Sequence, residues 1–200
     1  MNTNDPRFWI LAALVVVGLV ALAWVLERER KRRQSIRLQQ RFGPEYQRIV
    51  SERGNRDKAE TELVAREQRV ERLKIIPLSA EDAARFSQAW GGLQSRFVDQ
   101  PKSVVIEADQ LVRDLMVKRG YPMGDFERRA ADISVHHPTV VETYRSAQAI
   151  SGRAQRGNAS TEDLRKAVVF YRALFDELLE VRVARRDPSR EKDKDMAVHP

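Results

Sequence analysis

Three residue types that take part in bond-making chemistry crowd into six positions, Asp132-Ile133-Ser134-Val135-His136-His137. A carboxylate, a hydroxyl and an imidazole are the parts of a nucleophilic site. There the imidazole takes the hydroxyl proton and the carboxylate orients the imidazole. Such triads are assembled from distant parts of a chain, so closeness in one short stretch is weak support for catalysis. A plainer use fits the same residues. Residues 132–138 are expected as a loop in which Asp132 and Ser134 satisfy backbone groups, and His137 precedes Pro138, which opens a helix. A hydrolase or ligand-binding site on this loop is kept as the alternative function.

Other chemistries find little to use. The chain has no Cys and three His, two adjacent and one at position 199. No His-x-x-x-His or Glu-x-x-His spacing occurs, so the usual helical metal patterns are missing. Gly91-Gly92 is the single Gly pair and falls inside a helical pattern, which removes a phosphate-cradling loop. No cofactor is expected. Phe86, Trp90 and Phe97 could line a ligand groove, but their helical spacing reads first as core.

The elements that must position these residues begin with Phe8 to Leu26, nineteen residues without a charge or a strong polar group. At about 1.5 Å per residue such a helix spans roughly the 30 Å core of a bilayer. Phe8, Trp9 and Trp24 stand near its ends, where aromatic rings favour the headgroup boundary. Arg28, Arg30, Lys31, Arg32 and Arg33 follow directly and are candidates for contact with anionic lipid. Positive charge stays on the cytoplasmic side, which predicts an N-terminus-out anchor in an inner membrane and a cytoplasmic body. The competing reading is export, with Ala21-Leu22-Ala23 as a cleavage site, although Trp24-Val25-Leu26 continues the apolar run. Gly18 has Leu14 and Leu22 four residues away, so no small-residue dimerisation face is expected.

The formal net charge is +7, and residues 27–37 hold six basic and two acidic groups. More than half of the excess thus sits beside the expected membrane surface. That placement, with no basic stripe interleaved with aromatics elsewhere, argues against nucleic acid as a partner. Membrane lipids and an unidentified protein partner are expected instead.

The expected fold is all-α: one N-terminal transmembrane helix, a polar connecting helix, and a bundle of about four helices. Residues 1–7 form a short tail, 8–26 the span, 27–78 a basic juxtamembrane and polar helical linker, 79–184 the bundle and 185–200 a disordered tail. Gly43-Pro44 is the first helix stop and Gly54-Asn55 a turn. Ala59, Leu63, Val70 and Leu73 form a stripe that suits a stalk or a helix leaning on the domain. Charged residues at 52, 56 and 66 spoil a coiled-coil seam. Ile75, Ile76 and Leu78 are expected in a groove. Ser79 caps a helix carrying Phe86, Trp90, Leu93 and Phe97, with Gly91-Gly92 allowing close packing or a kink. After Pro101, Ser103 is expected to cap a helix whose inner face is Val105, Ala108, Leu111, Val112, Leu115 and Met116. Short helix 126–131, a helix from Pro138, and a last helix from Thr161 complete the set.

The motifs Arg41-Phe-Gly-Pro-Glu-Tyr46, Gln94-Ser-Arg-Phe-Val-Asp-Gln-Pro101, Arg119-Gly-Tyr-Pro122, Asp132-Ile-Ser-Val-His-His-Pro138, Val141-Glu-Thr-Tyr-Arg145, Thr161-Glu-Asp-Leu-Arg165 and Tyr171-Arg-Ala-Leu-Phe175 occur in that order. In this arrangement the chain resembles a family of uncharacterised bacterial proteins with one N-terminal span and an α-helical body. The likeness covers roughly residues 41 to 180. It implies a bacterial source and a helical domain, and it implies no activity.

Overall fold

The computed structural model describes residues 6–179, with side chains from residue 14 onward. The expected tail 185–200 lies outside the described residues. Those residues form eight helices and no strand: α1 (Pro6–Phe42), α2 (Pro44–Arg53), α3 (Arg56–Glu71), α4 (Ala80–Arg96), α5 (Pro101–Arg119), α6 (Phe126–His136), α7 (Val141–Gln155) and α8 (Thr161–Leu179). The fold is all-α. Two compact units divide after Leu63, inside α3.

In the first unit α1 runs unbroken for 37 residues. Among the described residues no helix is long and apolar enough to cross a membrane. Of the expected span Phe8–Leu26, the side chains of Phe8 to Ala13 lie outside the described set. Gly43 ends α1 at φ 50°, a conformation that costs glycine little, and Pro44 takes the first position of α2. Gly54 closes α2 in the left-handed region, and the Asn55 side chain accepts from the Lys58 backbone N–H to start α3. The stretch expected as a polar linker has a buried interior of its own: Leu38, Phe42, Tyr46, Ile49, Ala59 and Leu63 are all at most 2% exposed.

The second unit has α5 against α4, α7 and α8, with α6 on α7 and the most extensive helix pairing between α7 and α8. Ser79 caps α4 as expected, accepting from the Asp82 N–H at 3.0 Å. Phe86, Trp90 and Leu93 point inward, and the Trp90 and Phe175 rings meet with centroids 4.7 Å apart. Burial of each such side chain contributes about 1.5–3 kcal/mol.

Several boundaries differ from expectation. Helix α5 starts at Pro101 with Gln100 before it, so Ser103 sits in its first turn and caps nothing. Proline is preorganised for that first position, which lets the chain turn without a side-chain cap. The inner face of α5 includes Val104 and Asp109, while Leu111 is half-buried. Ser160, one residue before Thr161, exchanges bonds with Asp163 to start α8: the Ser160 N–H donates to the Asp163 carboxylate and the Asp163 N–H to the Ser160 hydroxyl. A Cβ built on Gly91 or Gly92 meets nothing within 4 Å, so neither glycine serves close packing. In the connector, Leu78 is buried and Ile75 packs on the core, but Ile76 is 51% exposed. Its N–H donates to the Arg119 carbonyl at 2.9 Å.

Candidate functional site

Residues 132–136 are not a loop. They continue α6, which Asp125 caps by accepting from the Arg128 N–H at 2.8 Å, and α7 begins only at Val141. The added turn is enclosed: Asp132, Ile133, Ser134 and Val135 are all buried, and packing holds as helix a stretch whose His-His-Pro ending suggested a turn.

The helix sends the four candidate side chains to four different partners. Asp132, 1% exposed, accepts from Arg69 Nε at 2.9 Å and Nη2 at 2.6 Å, both at Oδ1. Ser134 Oγ donates to the Ala131 carbonyl of its own helix at 2.7 Å. His136 is exposed, with Nδ1 3.3 Å from the Tyr121 hydroxyl. The ring of buried His137 sits with Nδ1 3.0 Å from Glu177 Oε2. Ser134 donates to its own helix and Asp132 is held by Arg69, so these four residues do not form a triad with one another. Asp132 and Arg69 instead tie α3 to α6 within the second unit. Among the described residues no group of three His, Cys, Asp or Glu side chains could hold a metal ion.

Two polar clusters stand where sequence analysis placed none. The first lies inside the second unit. Asp109 on α5 is 3% exposed and pairs with Arg113 Nη2 at 3.1 Å. Burial pushes its carboxyl above the usual range, against the pull of Arg113, Tyr171 and Arg129. Tyr171 and Tyr144 are fully buried, with ring centroids 6.3 Å apart. Burial also raises both phenols, and Asp109 adds to the rise at Tyr171. The cluster carries the ionisable groups of an acid–base site, but it lies in the packed core, and its effect is on stability.

The second cluster belongs to the first unit. Glu60 on α3 is 8% exposed, and its Oε1 accepts from Ser35 at 2.6 Å, Tyr46 at 2.7 Å and Arg56 Nε at 3.0 Å. Arg56 Nε also donates to the Tyr46 hydroxyl at 3.0 Å. Burial raises the Glu60 carboxyl, and the three donors outweigh it, leaving it below the ordinary value. This network joins α1, α2 and α3.

Beside it opens a cleft of about 520 Å³, lined from α1 by Arg28, Lys31 and Arg32 and from α3 by Arg56. Three of the five cations singled out in the sequence are therefore gathered at one place. Arg33 lies apart, paired with Glu29 at 3.3 Å, and Arg30 is exposed outside the cleft. The sequence signal for this gathering is positional: Trp24, Arg28, Lys31, Ser35, Leu38 and Phe42 recur at alternating spacings of four and three, a single helical face. Comparison of the chain with protein-family models, with curated proteins and with solved structures gave no match.

Proposed function

We propose that the chain is a membrane-anchored, non-enzymatic interaction module. Its N-terminal helix spans an inner membrane, and its helical body meets a protein partner at the cytoplasmic face. One observation supports the anchor above others. Leu14, Val15, Val16, Val17, Leu19, Val20, Leu22, Val25 and Leu26 are each more than half exposed, and they cover every side of the helix. Water would solvate that surface poorly, and lipid would solvate it well. Arg28 to Arg33 begin where the apolar surface stops, which supports the orientation.

Flotation tests the anchor. The full chain should rise with neutral phosphatidylcholine vesicles and stay with them in high salt; recovery in the soluble fraction would remove the reading. A reporter fused after residue 200 tests the side, and alkaline phosphatase activity there would place the body outside. Affinity capture from solubilised membranes tests the partner, and repeated failure to retain any protein would count against a binding module. The His136→Ala substitution probes residual chemistry at α6 more cleanly than any change at Asp132, because Asp132 holds a buried ion pair.

A further inference from the structure

We infer that the cleft between α1 and the start of α3 binds the phosphate group of a single anionic phospholipid, an inference that rests on the membrane-anchored reading above. The cleft lies wholly within the first unit.

Its chemistry is that of an anion site. Arg28, Lys31, Arg32 and Arg56 face two carboxylates, Asp57 and Glu60. Glu60 Oε1 is taken by Ser35, Tyr46 and Arg56 in the network beneath, and four cations against two carboxylates leave the cleft two positive charges in excess. That network also fixes Arg56. Its Nε is held by Glu60 and Tyr46, and both Nη groups make none of those bonds. A guanidinium held this way offers its remaining donors in a fixed plane, the geometry that suits phosphate oxygens. Gln34 and Thr61 add neutral donors to the wall. Lys31 reaches Glu27 only at 3.6 Å and on the surface, a pairing that costs little to exchange.

Position selects a lipid over a soluble phosphate. Arg28 and Lys31 follow Leu26 by two and five residues, about 3 to 8 Å along a helix. The headgroup layer on each side of a bilayer is about 5–8 Å deep. With Leu26 at the edge of the hydrocarbon, the Arg28–Lys31 end of the cleft lies at the level of lipid phosphates. The Arg28 guanidinium lies over the Trp24 ring at 5.3 Å, so the rim carries an interfacial aromatic as well.

The test uses the full chain in neutral detergent micelles. It is titrated with phosphatidylglycerol or phosphatidylcholine, and bound lipids are counted by native mass spectrometry. One phosphatidylglycerol per chain is expected, preferred over phosphatidylcholine by about tenfold or more, since each cation near a lipid surface is worth about fivefold. The Lys31→Gln/Arg32→Gln double variant should lose the preference. Arg30→Gln/Arg33→Gln removes the same charge outside the cleft and should keep a clear preference for phosphatidylglycerol. Equal losses in the two double variants would mean diffuse charge attraction and overturn the site. Displacement of phosphatidylglycerol by millimolar inorganic phosphate would name a soluble phosphate as the occupant and overturn the lipid. Flotation with neutral vesicles keeps the two readings separate. A chain that floats but shows no lipid preference has an anchor and no cleft site, whereas a chain that fails to float loses the anchor as well.

Discussion

Replacing Glu60 with Ala removes the acceptor on which three donors converge, and the cost follows from where those donors sit. Ser35 is 7% exposed and Tyr46 is 2% exposed, so neither hydroxyl finds water as a substitute. A buried donor left unsatisfied costs about 1–3 kcal/mol. Arg56 adds less, because its side chain is 56% exposed and water takes over its Nε. The expected loss for Glu60→Ala is therefore about 3 kcal/mol, with about 1 kcal/mol each for Ser35→Ala and Tyr46→Phe. Two units need not unfold together, so a local measurement is required. Hydrogen exchange of the full chain in neutral detergent, read by mass spectrometry on peptides covering α2 and the first half of α3, reports it. The pH dependence supplies a second check. The folded-state carboxyl of Glu60 lies below its unfolded value. Its contribution is present above the unfolded pKa, about 4.3, and is lost as pH falls through the folded value. The gap between the native chain and Glu60→Gln should be widest near pH 7 and should narrow in acid. Protection in Glu60→Ala within about 0.5 kcal/mol of native would refute the argument, as would a gap that widens in acid.

Three further outcomes test the second unit. Gly120 ends α5 at φ 89°, and a Cβ there would lie 2.5 Å from the Lys74 carbonyl oxygen. Gly120→Ala should cost about 3 kcal/mol by denaturant titration, combining left-handed strain with overpacking. Gly157→Ala, at φ 79° with open space around it, should cost about 1 kcal/mol, and equal costs would dismiss the clash. Gly91→Ala and Gly92→Ala should each stabilise α4 by about 1 kcal/mol, since both positions are exposed and open, and a loss of stability would reveal a packing role. Asp109→Asn tests the buried carboxyl. The folded Asp109 binds its proton more tightly than the unfolded chain does, so the native chain loses stability as pH rises through that range. Thermal melts should show Asp109→Asn improving relative to native between pH 4 and pH 7, and the opposite trend would contradict the burial argument.

The apolar helical stripes were legible because periodicity reports burial. Trp90, Leu93, Leu115 and Met116 all stand inward where their spacing predicts. The misplaced end of α6 has one physical cause: tertiary packing outweighed local turn preference. Ile133 and Val135 are buried within the second unit, and that burial extends α6 through Asp132 and Ser134 to His136, past the point where the local sequence suggests a turn. Asp109 went unseen for a related reason. It occupies an inward position between Ala108 and Val112, and a periodicity that counts apolar residues treats a carboxylate there as outward.

The cleft shows what such counting leaves out. Along α1 the residues at 24, 28, 31, 35, 38 and 42 keep one face while changing in character from aromatic to cationic to hydroxyl to apolar. The two apolar members, Leu38 and Phe42, are buried, and Ser35 is buried because Glu60 answers its hydroxyl. Continued toward the N-terminus, the same face must present Lys31 and Arg28 to whatever lies beside the start of α3, and there Arg56 faces them with like charge. The fold gathers these cations with carboxylates among them: Arg56 meets Glu60 at 3.0 Å and Lys31 reaches Glu27 at 3.6 Å. Four cations against two carboxylates leave the cleft two positive charges in excess, and on the anchored reading the headgroup layer just beyond Leu26 is where a phosphate would meet them.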